Sequence, residues 1–173
     1  MVIENQWLKV RADDCITSEG FEISPYYVFE YPDWVQIVAL DSSDHIILVE
    51  QYRHGLGVLS LELPAGSVEP GDGSPIRAGA RELAEETGYV ADRWHLVASL
   101  SPNPANHNNH LHVLLAQGAV SCGDPDNNPS ERLRTIRMPL NEAIHAAMDG
   151  KIIQALHVGS LALVLMRLGR WIR

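Results

Sequence analysis

The segment Arg81-Glu82-Leu83-Ala84-Glu85-Glu86-Thr87-Gly88 carries three carboxylates at positions i, i+3 and i+4. On a helix of 3.6 residues per turn, Glu82, Glu85 and Glu86 fall within about 100° of arc and share one face. Like charges at these spacings repel by about 0.2–0.5 kcal/mol per pair, so the grouping calls for full solvation or a bound cation. An all-oxygen ligand set suits a hard divalent ion such as Mg²⁺, which keeps several of its waters. The competing reading is an exposed acidic face on which Arg81 and Glu85 pair at i, i+4. The residues before the helix bear on that choice. Gly66 to Ser74, GSVEPGDGS, holds three glycines and a proline in nine positions, which predicts a loop. A glycine-rich loop entering the helix lets backbone carbonyls approach the same ion and leaves room for phosphate oxygens beside it. Helix, loop and cation together suggest a phosphate site.

A face of this kind works only if the helix is fixed, and its ends are clearly marked. Ser74 is placed to cap the N-terminus, Pro75 occupies the first helical position, and Gly88 follows the last turn. The apolar stripe that would dock it is Ile76, Ala80, Leu83 and Thr87. Upstream, residues 26–29, 34–40 and 45–49 are rich in β-branched and aromatic side chains and predict strands. The turn formers Asp41-Ser42-Ser43-Asp44 join the last two into a hairpin. Leu59 to Leu63 predicts another strand, ending at Pro64. Downstream, strands are expected at 94–100, 111–116 and 133–138, and helices at 141–149 and 153–168. The second of these helices is apolar enough to pack across the sheet. The pattern is α/β in a single domain spanning 1–173, with residues 1–33 forming an N-terminal β-region able to fold semi-independently.

The stretch from Gly66 to Tyr89, GSVEPGDGSPIRAGARELAEETGY, resembles the signature of the Nudix hydrolases, G-x5-E-x7-R-E-U-x-E-E-x-G-U with U aliphatic. Arg81, Glu82, Leu83, Glu85, Glu86 and Gly88 match it at every fixed position of the second half. The first half departs from it: Asp72 stands where the family has Glu, one extra residue separates it from Arg81, and Tyr89 replaces an aliphatic residue. Whether Asp72 takes the place of the first motif glutamate stays open. The resemblance implies that Glu82, Glu85 and Glu86 bind Mg²⁺ or Mn²⁺, with Glu85 and Glu86 central to catalysis, and that Arg81 braces the cluster. Leu61-Glu62-Leu63-Pro64-Ala65-Gly66 is similar to the run that marks the ADP-ribose and nucleotide-sugar pyrophosphatase branch, where the alanine carbonyl also coordinates metal, a role Ala65 inherits. Leu48 to Arg53, and Gly150 to Ile153 leading into an apolar helix, resemble that branch too. The implied fold is the Nudix α/β/α sandwich with a mixed sheet. The implied reaction is hydrolysis of the pyrophosphate of a nucleoside diphosphate derivative, and the implied assembly is a homodimer built on the N-terminal β-region. The alternatives are a Nudix enzyme acting on nucleoside triphosphates or coenzymes, and a non-catalytic ligand-sensing domain. The presence of all three motif glutamates favours catalysis.

Further candidates lie outside the motif. Arg53 is open between contacting a phosphate or ribose and serving at the surface or a dimer contact. Glu62 is open between shaping the substrate pocket and an ordinary exposed strand position. In ADP-ribose-type members the loop before the last strand supplies a general base, for which Glu131 is the candidate, with a solvated loop residue as the alternative. His107, His110 and His112 sit in SPNPANHNNHLH, where related enzymes have a Ser-Pro-Gly turn. No cysteine or carboxylate lies among them, which argues against zinc. His145 and His157 fall in helical patterns and read as structural.

With 13 Lys and Arg against 22 Asp and Glu, the net charge of -9 excludes nonspecific attraction to nucleic acid or an anionic membrane. An anionic substrate must therefore be met locally. Cys15 and Cys122 form no metal or disulfide framework. The N-terminus MVIENQWLKVRADD lacks the charged and apolar regions of a secretory signal, and Leu161 to Met166 is far short of the roughly 20 residues a bilayer needs. A cytoplasmic location is expected.

Overall fold

The structure, a computed structural model, describes residues 1–5, 8–125 and 133–170. Glu131, the candidate general base, and Asp126 lie outside the described residues. The central sheet is mixed and has seven strands. β4 (Trp34–Leu40), β5 (His45–Arg53), β9 (Arg93–Leu100), β10 (Leu111–Gln117) and β12 (Leu133–Pro139) run in the order β12-β5-β4-β10-β9. β4 and β10 are parallel, and the other pairs are antiparallel. Helix α1 (Pro75–Thr87) covers one face, and α2 (Leu140–Met148) and α3 (Ala155–Arg167) cover the other. Alternation along β10 divides the core between the two layers, with Leu111, Val113 and Leu115 facing α2 and α3 while Leu114 and Ala116 face α1. This is the α/β/α sandwich expected from the sequence.

The site grows out of a fork in this sheet. β4 and β5 form the predicted hairpin, whose turn is fixed by Asp41 Oδ1 accepting from the Ser43 and His45 amides at 2.8 and 2.9 Å. The two strands then pair only over Ala39–Leu40 and Ile46–Ile47 before they part. β6 (Val58–Glu62) continues on β5, and β7 (Ala65–Ser67) continues on β4. Leu63 and Pro64 are the whole link between them. Pro64 stands between the two ladders, where its missing N–H breaks neither, and its carbonyl accepts from Ile37 N–H at 2.9 Å. The glycine-rich loop thus begins at Val68, because Gly66 and Ser67, read as loop from composition, are drawn into the sheet by β4.

α1 follows its predicted punctuation. Ser74 caps it through Arg77 N–H, and Gly88 closes it in the left-handed region at φ 69°. The buried positions are Ala78, Gly79, Leu83 and Thr87, a stripe rotated from the expected Ile76–Ala80 line. Gly79 explains the rotation: a Cβ there would stand 2.3 Å from Leu114 Cδ1, so the helix lies on the sheet at a distance only glycine permits.

The N-terminal region is a separate antiparallel sheet of β1 (Ile3–Glu4), β2 (Lys9–Ile16) and β3 (Glu22–Glu30). β1 and β2 were not legible because charged and apolar side chains are mixed along them and most are exposed. The region leans on the loop before β10: Phe29 N–H donates to Asn106 O at 2.7 Å, and His107 packs among Phe29, Tyr31 and Trp34. Two short strands, β8 (Tyr89–Val90) and β11 (Val120–Ser121), pair beside α1. Leu83 is fully buried at the centre of the α1 layer. Leu83→Ala is expected to destabilise the fold by about 2–5 kcal/mol, read as a lower denaturant midpoint at unchanged slope.

Candidate active site

Arg81 is the hub of the motif. Its Nε and Nη2 donate to the two oxygens of Asp72 at 3.1 Å each, Nη2 also reaches Ser67 O at 2.9 Å, and Nη1 bridges Glu82 Oε1 at 2.9 Å and Glu85 Oε2 at 3.0 Å. One guanidinium therefore ties together the loop, β7 and α1. The Asp72 hydrogen bonds, with the charges of Glu82 and Glu85, hold Arg81 firmly protonated. In return Arg81 and the Glu69 amide hold the Asp72 carboxyl below its ordinary range. Asp72 is thus the anchor of Arg81 and of the loop turn, with both oxygens engaged.

Glu82 and Glu86 turn toward β7. A Cβ built on Gly66 would lie 2.1 Å from Glu82 Cδ and Oε1, so only glycine lets this strand pass under the carboxylate. Glu86 Oε2 accepts from Ala65 N–H at 3.0 Å. Glu85 is half exposed at the outer edge. Gly88 meets a different neighbour: a Cβ there would stand 2.2 Å from Gly123 O, which fits its role of ending the helix against the β11 turn. Among the described residues, no three His, Cys, Asp or Glu side chains converge as a formed ligand set. The α1 glutamates are held by Arg81 and the Ala65 amide instead. The donors nonetheless suit a hard cation, being all oxygen: Asp72, Glu82 and Glu85 stand around one guanidinium, and Glu86 stands on the Ala65 amide.

Across the Leu63-Pro64 link lies a second group of residues. Glu62 is 2% exposed, which removes the reading of an exposed strand position. Its carboxylate receives Arg53 Nε and Nη2 at 2.8 and 2.5 Å. Burial pushes the Glu62 pKa up, and the hydrogen bonds led by Arg53 more than offset it, leaving the group below its ordinary value and charged. Arg53 and Glu62 line an open cavity of about 580 Å³ with Tyr52, His54, Ser60 and Gln154. His157, read as structural from its helical position, is 1% exposed and sits against Glu62 and Leu63. Sequence reasoning missed this contact because a helix some ninety residues downstream supplies it. The available signal was a lone histidine on the apolar stripe of α3.

The histidine-rich loop is pinned by Asp33, a carboxylate outside the run. Asp33 accepts from His110 N–H at 2.7 Å and faces His112 Nε2 at 3.2 Å, while His112 Nδ1 meets Ser99 Oγ at 2.8 Å. These contacts anchor the turn at the end of β10.

A NUDIX domain model matches residues 31–156. The ADP-ribose pyrophosphatase of Mycobacterium tuberculosis is 32% identical over 152 residues, covering 87% of this chain and 73% of that protein. The ADP compounds hydrolase NudE of Escherichia coli is 30% identical over 121 residues, 70% of this chain and 64% of that one. A solved structure described as an ADP compounds hydrolase superposes with a TM-score of 0.84 at 28% identity, covering 98% of this chain and 92% of that chain. The chain belongs to the Nudix family. Gly66→Ala is expected to displace Glu82 from β7 and to lower hydrolytic turnover by 10-fold or more, roughly the scale of a sub-ångström to 1 Å misplacement, while circular dichroism stays native.

Proposed function

We propose that this protein hydrolyses the pyrophosphate of a nucleoside diphosphate derivative, ADP-ribose or an ADP-sugar foremost, to a nucleoside monophosphate and a sugar phosphate. The observation that carries this reading is the contact of Glu82 with Gly66 beside the Glu86–Ala65 hydrogen bond. It brings two motif carboxylates onto the backbone of β7, across the Leu63-Pro64 link from Glu62, which lines the open cavity. The relatives, an ADP-ribose pyrophosphatase and an ADP compounds hydrolase, support the substrate class. Glu82, Glu85, Glu86 and the Ala65 carbonyl are the proposed ligands of Mg²⁺, with Mn²⁺ as the alternative. When bound, the ion supplies Lewis-acid neutralisation of the pyrophosphate charge.

The chain's own residues do the rest. Arg53, fixed by Glu62, places a positive charge at the cavity wall for a phosphate or ribose oxygen. Arg81 holds Glu82 and Glu85 of α1 beside the loop through its hydrogen bonds to Asp72. In the reaction a water oxygen forms a bond to one phosphorus, the bond from that phosphorus to the bridging oxygen breaks, and the second phosphate leaves with the bridging oxygen. A carboxylate takes the proton of the attacking water, and Glu131 is the proposed acceptor.

Activity is expected with Mg²⁺ or Mn²⁺ and to vanish in excess EDTA; hydrolysis that survives EDTA would sink the metal assignment. Glu86→Gln keeps an acceptor for the Ala65 amide while removing a charge, and is expected to weaken metal binding by calorimetry together with turnover. Glu131→Gln is expected to leave metal binding intact and reduce turnover by roughly 10²- to 10⁴-fold. Wild-type turnover in that variant would move the base to an α1 carboxylate.

The assembly proposed is a homodimer packed through the N-terminal β-region. Ile16, Phe21, Ile23 and Tyr27 there are exposed at 73, 67, 43 and 50%, more apolar surface than a small sheet leaves in water without a partner. Light scattering at micromolar concentration is expected to give twice the chain mass, and a monomer would overturn the assignment.

A further inference from the structure

His157 stands where α3 meets the link between the two halves of the site. Its Nδ1 accepts from Leu63 N–H at 2.9 Å, and its Nε2 lies 3.6 Å from Glu62 Oε2. Glu62 is held by Arg53 of β5, Pro64 O by Ile37 of β4, and Ala65 N–H by Glu86 of α1. Each of the four consecutive residues Glu62 to Ala65 is therefore fixed by a different element, and His157 is the contribution of α3. We propose that His157 is a positioning residue for the hydrolytic site, setting the Leu63 amide and so the alignment of the Arg53–Glu62 pair with the Ala65–Glu86 pair.

The chemistry of the contact defines the ring state. A backbone N–H can only donate, so Nδ1 must present its lone pair and the ring proton sits on Nε2, facing the Glu62 carboxylate. Protonation would set Nδ1–H against Leu63 N–H. Burial agrees with this, holding the His157 pKa down to about 4 against the pull of Glu62. The role differs from simple helix docking. Ser160, also buried on α3, donates to Gln36 Oε1 at 2.6 Å, a side chain of β4 outside the four residues.

What the alignment does for turnover rests on the function proposed above; the ring state and the backbone contact do not. The test combines ¹⁵N NMR of the histidine rings with three variants. In the wild type the His157 ring is expected as the Nε2–H tautomer with an unprotonated, hydrogen-bonded Nδ1; a protonated Nδ1 overturns the proposal. His157→Phe keeps the bulk without the acceptor. It is expected to shift the Leu63 and Ala65 amide resonances, weaken Mn²⁺ binding by electron paramagnetic resonance, and lower kcat by roughly 10- to 100-fold with less change in KM. His157→Asn restores an acceptor in place of Nδ1 and is expected to recover Mn²⁺ binding and kcat to within a few-fold of wild type. Ser160→Ala is expected to lower Tm while leaving both unchanged. If His157→Phe behaves as Ser160→Ala does, or His157→Asn recovers nothing, the residue only docks the helix and the proposal falls. Should the wild type hydrolyse no nucleoside diphosphate derivative, the functional reading fails, and the tautomer, amide shifts and Mn²⁺ binding still decide the role of His157.

Discussion

Charge balance around one guanidinium organises the molecule's chemistry. Three carboxylates, Asp72, Glu82 and Glu85, meet on Arg81, and its charge offsets the repulsion among them. Its planar fork does more than neutralise. By donating at once to Asp72, Ser67 O, Glu82 and Glu85 it fixes the loop to the helix and the helix to β7. A lysine could supply the charge but not the directions. The close passage of Gly66 under Glu82 and the pairing of Glu86 with the Ala65 amide depend on that register.

The second constraint is the fork between β4 and β5. Two strands that stayed paired along their length would leave no place for β6 and β7, and Glu62 and Ala65 would not stand on either side of a two-residue link. The divergence sets the Arg53–Glu62 pair, with its buried carboxylate, and the Ala65–Glu86 contact on either side of one short link of backbone. It also demands that the link itself be held, since β4 reaches it only at Pro64 O, through Ile37 N–H. His157, Ile37 and Glu86 supply that hold from three directions.

The parts legible in the sequence were those with local signals. Ser74, Pro75 and Gly88 marked the ends of α1, the Asp41–Asp44 turn marked a hairpin, and the spacing of Glu82, Glu85 and Glu86 marked a shared face. Each depends on neighbours within one turn or one hairpin. The parts that were not legible depend on distant partners. Gly66 and Ser67 have the composition of a loop and become β7 because β4 offers an open edge. Glu62 looks like a surface residue until Arg53 and His157 bury it. Asp33 completes the His110 and His112 contacts from 77 and 79 residues away. On α1 the expected Leu83 and Thr87 are buried, while Ala78 and Gly79 take the place of Ile76 and Ala80, because glycine has no side chain to mark it as the point where the helix lies against Leu114.

The two connections into β7 and α1 differ in how they tolerate insertions and deletions. The loop from Val68 to Ser74 is one residue longer before Arg81 than the family spacing, yet Asp72 still reaches Arg81 with both oxygens, so the added length is absorbed in an exposed turn. Leu63-Pro64 has no such slack. An added or lost residue there would reverse which side chains of β7 face α1, since alternation along a strand has a period of two. A change of length is therefore expected to be absorbed at the loop and not at the two-residue link.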